Sequence, residues 1–473
     1  MRKFVLSVSI ALTLLNLIWG TNGVPRVEAG QPHNTHGNSC TSQYKLKTVT
    51  SKTLRSIIQS HHQWLEERHN RDYHRANLCQ ANLRQANLKG ADLERANLEG
   101  TILRGANLHQ SILTQARLAG ADLTKAGLED GNISGADLRE ANLSGANLFR
   151  AIGDEAALYN GILTGALMKE SAFERAHFEG ADLTSADLTD ANLVDSYFYG
   201  ANLHRAIFSG ADLTGADLRQ TNLEKANFDQ ANLQGALLDG AKLVAAHMVE
   251  SDMEGAYFDE ADLTGAKLRA TLLRGADLRF VNLHSATLQE ADLEGVNFEG
   301  ADLTKANLRS AAMRMAILYH TILDGADFRE ARLRHAVLIG ARGKDANFSR
   351  AELAEIYAPK VQLPRASFHE AKLEAANLVA ADLRGANFNG AFLAQANLQE
   401  ANLQGTAFPG AILTGTRLDA ADLRQANLRG VNLTETIGLT QAQINSACLD
   451  KQTQLPPDLK RPAPCTGKKP KTK

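Results

Sequence analysis

Aromatic residues make up only 5% of the 473 residues, and tryptophan occurs twice. That is too few for the mixed core of an ordinary globular enzyme, whereas Leu, Ala, Asn, Asp and Gly dominate in the way a repeated unit demands. No phosphate loop, nucleophile elbow or zinc-protease motif stands out from the chain, so no catalytic activity is expected. Charge of one sign is also missing. The formal net charge is −2, which excludes a whole-molecule field for nucleic acid or a membrane surface. The four cysteines include no CxxC spacing, which argues against zinc or thioredoxin-type chemistry, and their even number fits an oxidising compartment. Long apolar runs are confined to Phe4–Trp19, behind Arg2 and Lys3. This reads as a secretion signal over residues 1–29, with Val27-Glu28-Ala29 as the cleavage site and Thr21-Asn22-Gly23 as the second choice. The alternative is an uncleaved anchor, which also leaves the remainder outside the cytoplasm.

What is present is a period of five. From Ala76 to Glu435 the chain contains 72 consecutive units without insertion or deletion, beginning Ala76-Asn77-Leu78, Ala81-Asn82-Leu83, Ala86-Asn87-Leu88. The central position is Leu in 52 units, Phe in 12 and Met in 4, and the position two before it is Ala in 55. A period of five fits neither the 3.6 of an α-helix nor the alternation of a flat strand, so the chain must turn in every unit. With the small and the large residue both inward, each unit makes one side of a coil. Asn or Asp before the Leu and Gly after it then face outward or make the corner.

The pattern A-[DN]-L-x-x resembles the pentapeptide-repeat family over about three quarters of the chain. The resemblance implies an all-β solenoid, a right-handed quadrilateral β-helix with four units, or 20 residues, per coil. The sequence supports 20 independently: Phe328, Phe348, Phe368, Phe388 and Phe408 recur at that spacing, as do Phe208 and Phe228. Sorted into four sides, 11 of the 12 central Phe fall on the opposite sides of Leu78 and Leu88. Eighteen coils at about 4.8 Å per strand make a rod roughly 86 Å long.

The bare ends of a solenoid need covers. Leu54, Ile57, Ile58, Trp64 and Leu65 have the spacing of one apolar helix face, predicting an amphipathic helix from Thr53 to about Glu67 within the N-terminal segment 30–75. In residues 436–473, Thr440 and Gln443 form a capping box for a short helix through Ala447, ahead of a basic tail expected to be disordered. The stretch Leu439 to Cys448 with Leu455-Pro456-Pro457 resembles the terminal segment of bacterial pentapeptide-repeat proteins. Disulfides are expected between Cys448 and Cys465 and between Cys40 and Cys79. His61, His62, His69 and His74 lie close together, but His61 sits on the apolar helix face and the others on polar positions, so no metal or cofactor is expected. Gly153 and Gly343 omit the central side chain, and Ile356 and Ala358 exchange large and small positions near Pro359 and Pro364. These irregularities read either as tolerated drift or as a bulge between Gly343 and Arg365.

The outward positions carry the functional signal. Residues 76–435 hold 34 Lys and Arg against 47 Asp and Glu, a balance of −13, concentrated on the sides of Leu93 and Leu78. All six tyrosines of the repeat, Tyr159, Tyr197, Tyr199, Tyr257, Tyr319 and Tyr357, face outward on the Leu78 side, joined by Phe280. Chance would place six tyrosines on one side about once in a thousand sequences, so the stripe has a cause. It is either a partner-binding surface or cross-strand stacking that stabilises the coil. The expected function is a non-enzymatic extracytoplasmic scaffold, periplasmic or otherwise exported, with a protein, envelope component or second copy as partner and no nucleic acid. Some pentapeptide-repeat proteins are duplex mimics that bind type II topoisomerases, which is the alternative. A duplex 86 Å long would present about 50 charges, far more than 13.

Overall fold

A computed structural model describes residues 40–67 and 74–463. The repeat is best understood from its backbone donors. In the first unit, Leu78 N–H donates to Asn97 O at 2.8 Å, Gln80 N–H to Glu99 O at 2.7 Å, and Ala81 N–H closes the corner on Leu78 O at 2.9 Å. Asn97 N–H in turn donates to Ala76 O at 2.9 Å. Four of the five N–H groups of each unit are thereby used, three of them between coils. The fifth belongs to the residue after the central Leu, and the Asn or Asp side chain accepts it: Arg84 N–H reaches Asn82 Oδ1 at 3.2 Å and Thr184 N–H reaches Asp182 Oδ1 at 3.0 Å. Buried or bent backbone must find a partner for every donor, and a short acceptor side chain two residues earlier supplies this one. That is why the position before Leu favours Asn and Asp.

Parallel bridges join each unit to the unit 20 residues on in unbroken series from Asn77↔Asn97 to Ala407↔Asn427, four per coil. The result is a β-helix with a 20-residue coil. The fifth residue of every unit from Gln80 to Gly430 has a left-handed backbone, whether or not it is glycine. Ala and the large central residue point inward and are almost completely buried throughout. The central phenylalanines stack: Phe328, Phe348, Phe368, Phe388 and Phe408 form a column with centroids 4.7–5.2 Å apart. Parallel offset stacking at the strand spacing satisfies ring geometry and fills the coil together.

The irregular units leave this geometry intact. Arg342↔Gln362, Val337↔Tyr357 and Gln362↔Asp382 pair as elsewhere, so no bulge interrupts residues 343–365. Ile356 and Ala358 both remain buried, conserving core volume.

Helix α1, Ser51–Glu66, starts at Thr50, whose side chain accepts from Thr53 N–H. Leu54 and His61 are buried, and Ile57 and Ile58 pack on the repeat core. Helix α2, Gln441–Ser446, has the Thr440–Gln443 capping box, and Gln443 Nε2 donates to Leu418 O and Ala421 O. Pairing continues past Glu435. Cys448 bridges Asn427 and Gln454 bridges Asn432, at offsets that absorb α2. At the other end Thr48 bridges Asn82. Cys40 and Cys79, expected as a pair, are both disulfide-bonded. Cys465 lies outside the described residues, as do His69 and the expected secretion signal.

Candidate interaction face

The Leu78 side gathers the seven aromatic residues along one face, because each is 20 residues, or a multiple, from an equivalent position. Their exposure is uneven. Phe280, Tyr199 and Tyr197 are 55%, 45% and 38% exposed, whereas Tyr159, Tyr257, Tyr319 and Tyr357 are half-buried. Facing outward is therefore not the same as being exposed. Strands about 4.8 Å apart let side chains of adjacent coils cover one another, and at one place outward rings meet face to face.

The clearest instance is a column of three rings. Tyr159 stacks on His177 at 4.9 Å, and His177 on Tyr197 at 4.7 Å. His177 Nδ1 lies 3.1 Å from Glu179 Oε1. Burial in this column, with the Glu179 carboxylate next in importance, pushes the Tyr159 phenol up to about 12. Both readings of the stripe therefore have a physical basis: ring faces stack between neighbouring strands, while Tyr197 and Tyr199 stay more than a third exposed. No histidine was foreseen in the stripe; the 20-residue arithmetic that aligned the tyrosines also places His177 beside Tyr197.

Carboxylates on this side divide into two kinds. Asp217 and Asp277 are each held by an arginine two residues on, with Arg219 Nε to Asp217 Oδ1 at 2.8 Å and Arg279 Nε to Asp277 Oδ2 at 2.8 Å. Asp239 and Asp259 lack such a clamp. Desolvation holds both carboxyls above the ordinary carboxylate value, reinforced at Asp239 by the charge of Asp259. Asp239 has a backbone duty. Tyr257 occupies the position that normally accepts the N–H two residues on, and Asp239 Oδ1 takes that donor from Asp259 at 3.1 Å instead.

Among the described residues no group of His, Cys, Asp and Glu is arranged to hold a metal ion. His61 is buried, His62 pairs with Glu66 at 3.3 Å, and His74 is exposed. A groove of about 520 Å³ lies on the Leu88 side, lined by Arg269, Glu290, Arg309, Arg329 and Glu330. It is open and salt-bridged, with Arg309 Nη2 3.1 Å from Glu330 Oε1.

The bridge pattern, the buried Ala-Leu ladder and the Asn or Asp acceptor that precedes many of the central Leu residues together define one repeat type, and the family model for pentapeptide repeats matches residues 74–314, 316–342 and 376–451. The chain belongs to the pentapeptide-repeat family. The unmatched stretch 343–375 holds the irregular units, although the coil runs through it unchanged. Among solved structures, a pentapeptide-repeat protein involved in regulating heterocyst differentiation, HetL of the cyanobacterium Nostoc, is 31% identical; the match covers 51% of this chain and 91% of that one with a TM-score of 0.21. A pentapeptide-repeat protein of the Arabidopsis thaliana thylakoid lumen is 25% identical over 28% of this chain and 68% of its own, with a TM-score of 0.15. QnrB1, a plasmid-mediated fluoroquinolone resistance protein, is 21% identical over 46% and 92%, with a TM-score of 0.17. No curated protein matches the chain.

Proposed function

We propose that this pentapeptide-repeat chain is a non-enzymatic, extracytoplasmic scaffold that binds a protein or cell-envelope partner through its Leu78 side. The rod is read as a right-handed, four-sided coil closed at its ends by α1 and by the segment containing α2. The observation that carries the functional reading is the confinement of all six repeat tyrosines to that side, with Tyr197 and Tyr199 exposed beyond what strand stacking requires. Export is supported by the charged and apolar start of the sequence and by the bonded state of Cys40 and Cys79.

The competing reading is a duplex mimic directed at a type II topoisomerase. A balance of −13 over 72 units is too sparse for it, and the acidic groups of the Leu78 side are partly neutralised by arginine. Replacing Tyr197, Tyr199 and Tyr257 together by Ser tests the scaffold reading. Capture of envelope partners should weaken about 30-fold if the tyrosines include hot spots. The matched control changes Thr184, Thr264 and Thr304 to Ser on the Leu83 side. Equal capture by wild type and tyrosine variant sinks the reading, and the stripe is then stacking alone.

A further inference from the structure

The Leu78 side changes character half-way along. Between Asp137 and Glu299 its outward positions carry nine carboxylates and three arginines. From Ile317 to Ala380 the same positions carry a single charged residue, Lys360, and present Ile317, Tyr319, Val337, Ile339 and Tyr357 on successive coils. The charges flanking this neutral half are mixed and mostly paired, Arg334 with Glu355 at 2.7 Å, Arg365 with Asp345 at 2.6 Å and Lys372 with Glu352 at 3.0 Å. Arg332, Arg342 and Lys344 are exposed and have no carboxylate within ion-pair distance among the described residues. An uncharged apolar patch flanked by unpaired cations, on an otherwise acidic rod, calls for an occupant with an acidic rim.

We propose that the occupant is a second copy of this chain, packed antiparallel, with the neutral half of each Leu78 side on the acidic half of the other. The inference rests on the reading of that side as a binding surface and names the partner. With a two-fold axis lying in the interface at the coil of Phe298, the 20-residue coil fixes what meets what. Two coils on, Val337 faces Tyr257; three coils on, Tyr357 faces Leu237. On one flank Arg332 comes opposite Asp252 and Glu254, and on the other Arg342 and Lys344 come opposite Asp262. A parallel dimer in register sets Arg332 against Arg342, and an antiparallel one centred on the apolar patch likewise sets cation against cation. Charge pairing at the rim selects register and orientation more than raw affinity, and a closed two-fold contact leaves no free interface to propagate.

Light scattering of the full natural chain across a concentration series tests this. A dimer is expected, weakened about tenfold by Arg332→Glu and likewise by Glu254→Arg, and restored to near wild type when both are combined. Both residues are exposed, and unchanged melting of the variants excludes misfolding as the cause. A wild type that stays monomeric at its highest soluble concentration overturns the dimer. It leaves the heterologous partner standing, because the tyrosine variant tests that separately. A dimer indifferent to either single reversal, or a double variant that fails to recover, overturns the antiparallel register.

Discussion

Phe173 fills the space that Gly153 vacates. A Cβ built on Gly153 would fall inside the Phe173 ring, one coil on, and Phe173 is the single central phenylalanine outside the sides of Leu78 and Leu88. The two irregularities are therefore one feature: the ring occupies two levels of the Leu93 side. Gly153→Leu should destabilise the chain by about 1–3 kcal/mol, as overpacked cores do. Combined with Phe173→Leu, which restores the ordinary ladder, the cost should largely disappear. Chemical denaturation of the two single variants and the double measures the coupling, and simple additivity of the two costs would contradict the shared-volume account.

The corners yield a second expectation, opposite to ordinary practice. Ala375 and Ala380 have φ of 54° and 55°, a left-handed conformation that costs a residue with a Cβ roughly 1–2 kcal/mol. Ala375→Gly should raise stability by about 1 kcal/mol. Ala376→Gly, one residue on, removes a fully buried methyl from the inward ladder and should lower it. Thermal unfolding of the pair decides. Equal destabilisation by both would show that the loss of chain entropy at glycine outweighs the strain.

The period of five, the inward Ala and Leu, the 20-residue coil and the span of α1 were legible because each rests on a periodicity of side-chain size. Other features hide in the sequence because backbone geometry selects them without a unique residue type. The left-handed corner tolerates Gln80 and Arg95 as well as glycine, so glycine marks only some of the turns. The role of Asn and Asp before Leu became clear only once the donors were counted. Tyrosine exposure is equally hidden, since a linear pattern shows which side a ring is on but not that His177 covers Tyr159. The chain after Glu435 was read as a cap and tail, yet Cys448 and Gln454 continue the pairing at shifted offsets that no five-residue register reveals.

Asp239 supports a third expectation. Its carboxyl is held above the ordinary value by burial and by the charge of Asp259, so the ionised form is disfavoured in the folded chain. The backbone needs only Oδ1, as acceptor for Asp259 N–H. Asp239→Asn keeps that oxygen and removes the charge. It should raise the melting temperature at pH 7. The gain should shrink as pH falls through the raised folded value, where the wild-type carboxyl is protonated anyway. A lower melting temperature for Asn at neutral pH would mean that the carboxylate charge, not its geometry, is what Asp259 N–H requires.

The last expectation concerns the attachment of α1. His61 is fully buried, stacks on Trp64 at 5.5 Å, and accepts a hydrogen bond from Ala76 N–H at Nδ1, 3.1 Å away. That bond requires the neutral ring, because a protonated imidazole has no lone pair left to accept it. Burial lowers the His61 value below its ordinary 6.5, opposed by Asp92 and Glu94 and assisted by Arg75. The sign follows: below about pH 6.5 the unfolded chain binds a proton that the folded chain refuses, so the contribution of His61 is complete above that pH and is lost as pH falls towards the folded value. Hydrogen exchange should therefore show α1 opening on acidification while the central coils stay protected, and Trp64 fluorescence should follow the same titration. His61→Phe keeps a ring on Trp64 but cannot protonate. It should weaken α1 docking at neutral pH by about 1 kcal/mol for the lost acceptor and abolish the pH dependence of docking that sets in below about pH 6.5. Should the variant retain the wild-type titration, His61 is not the group that loosens α1.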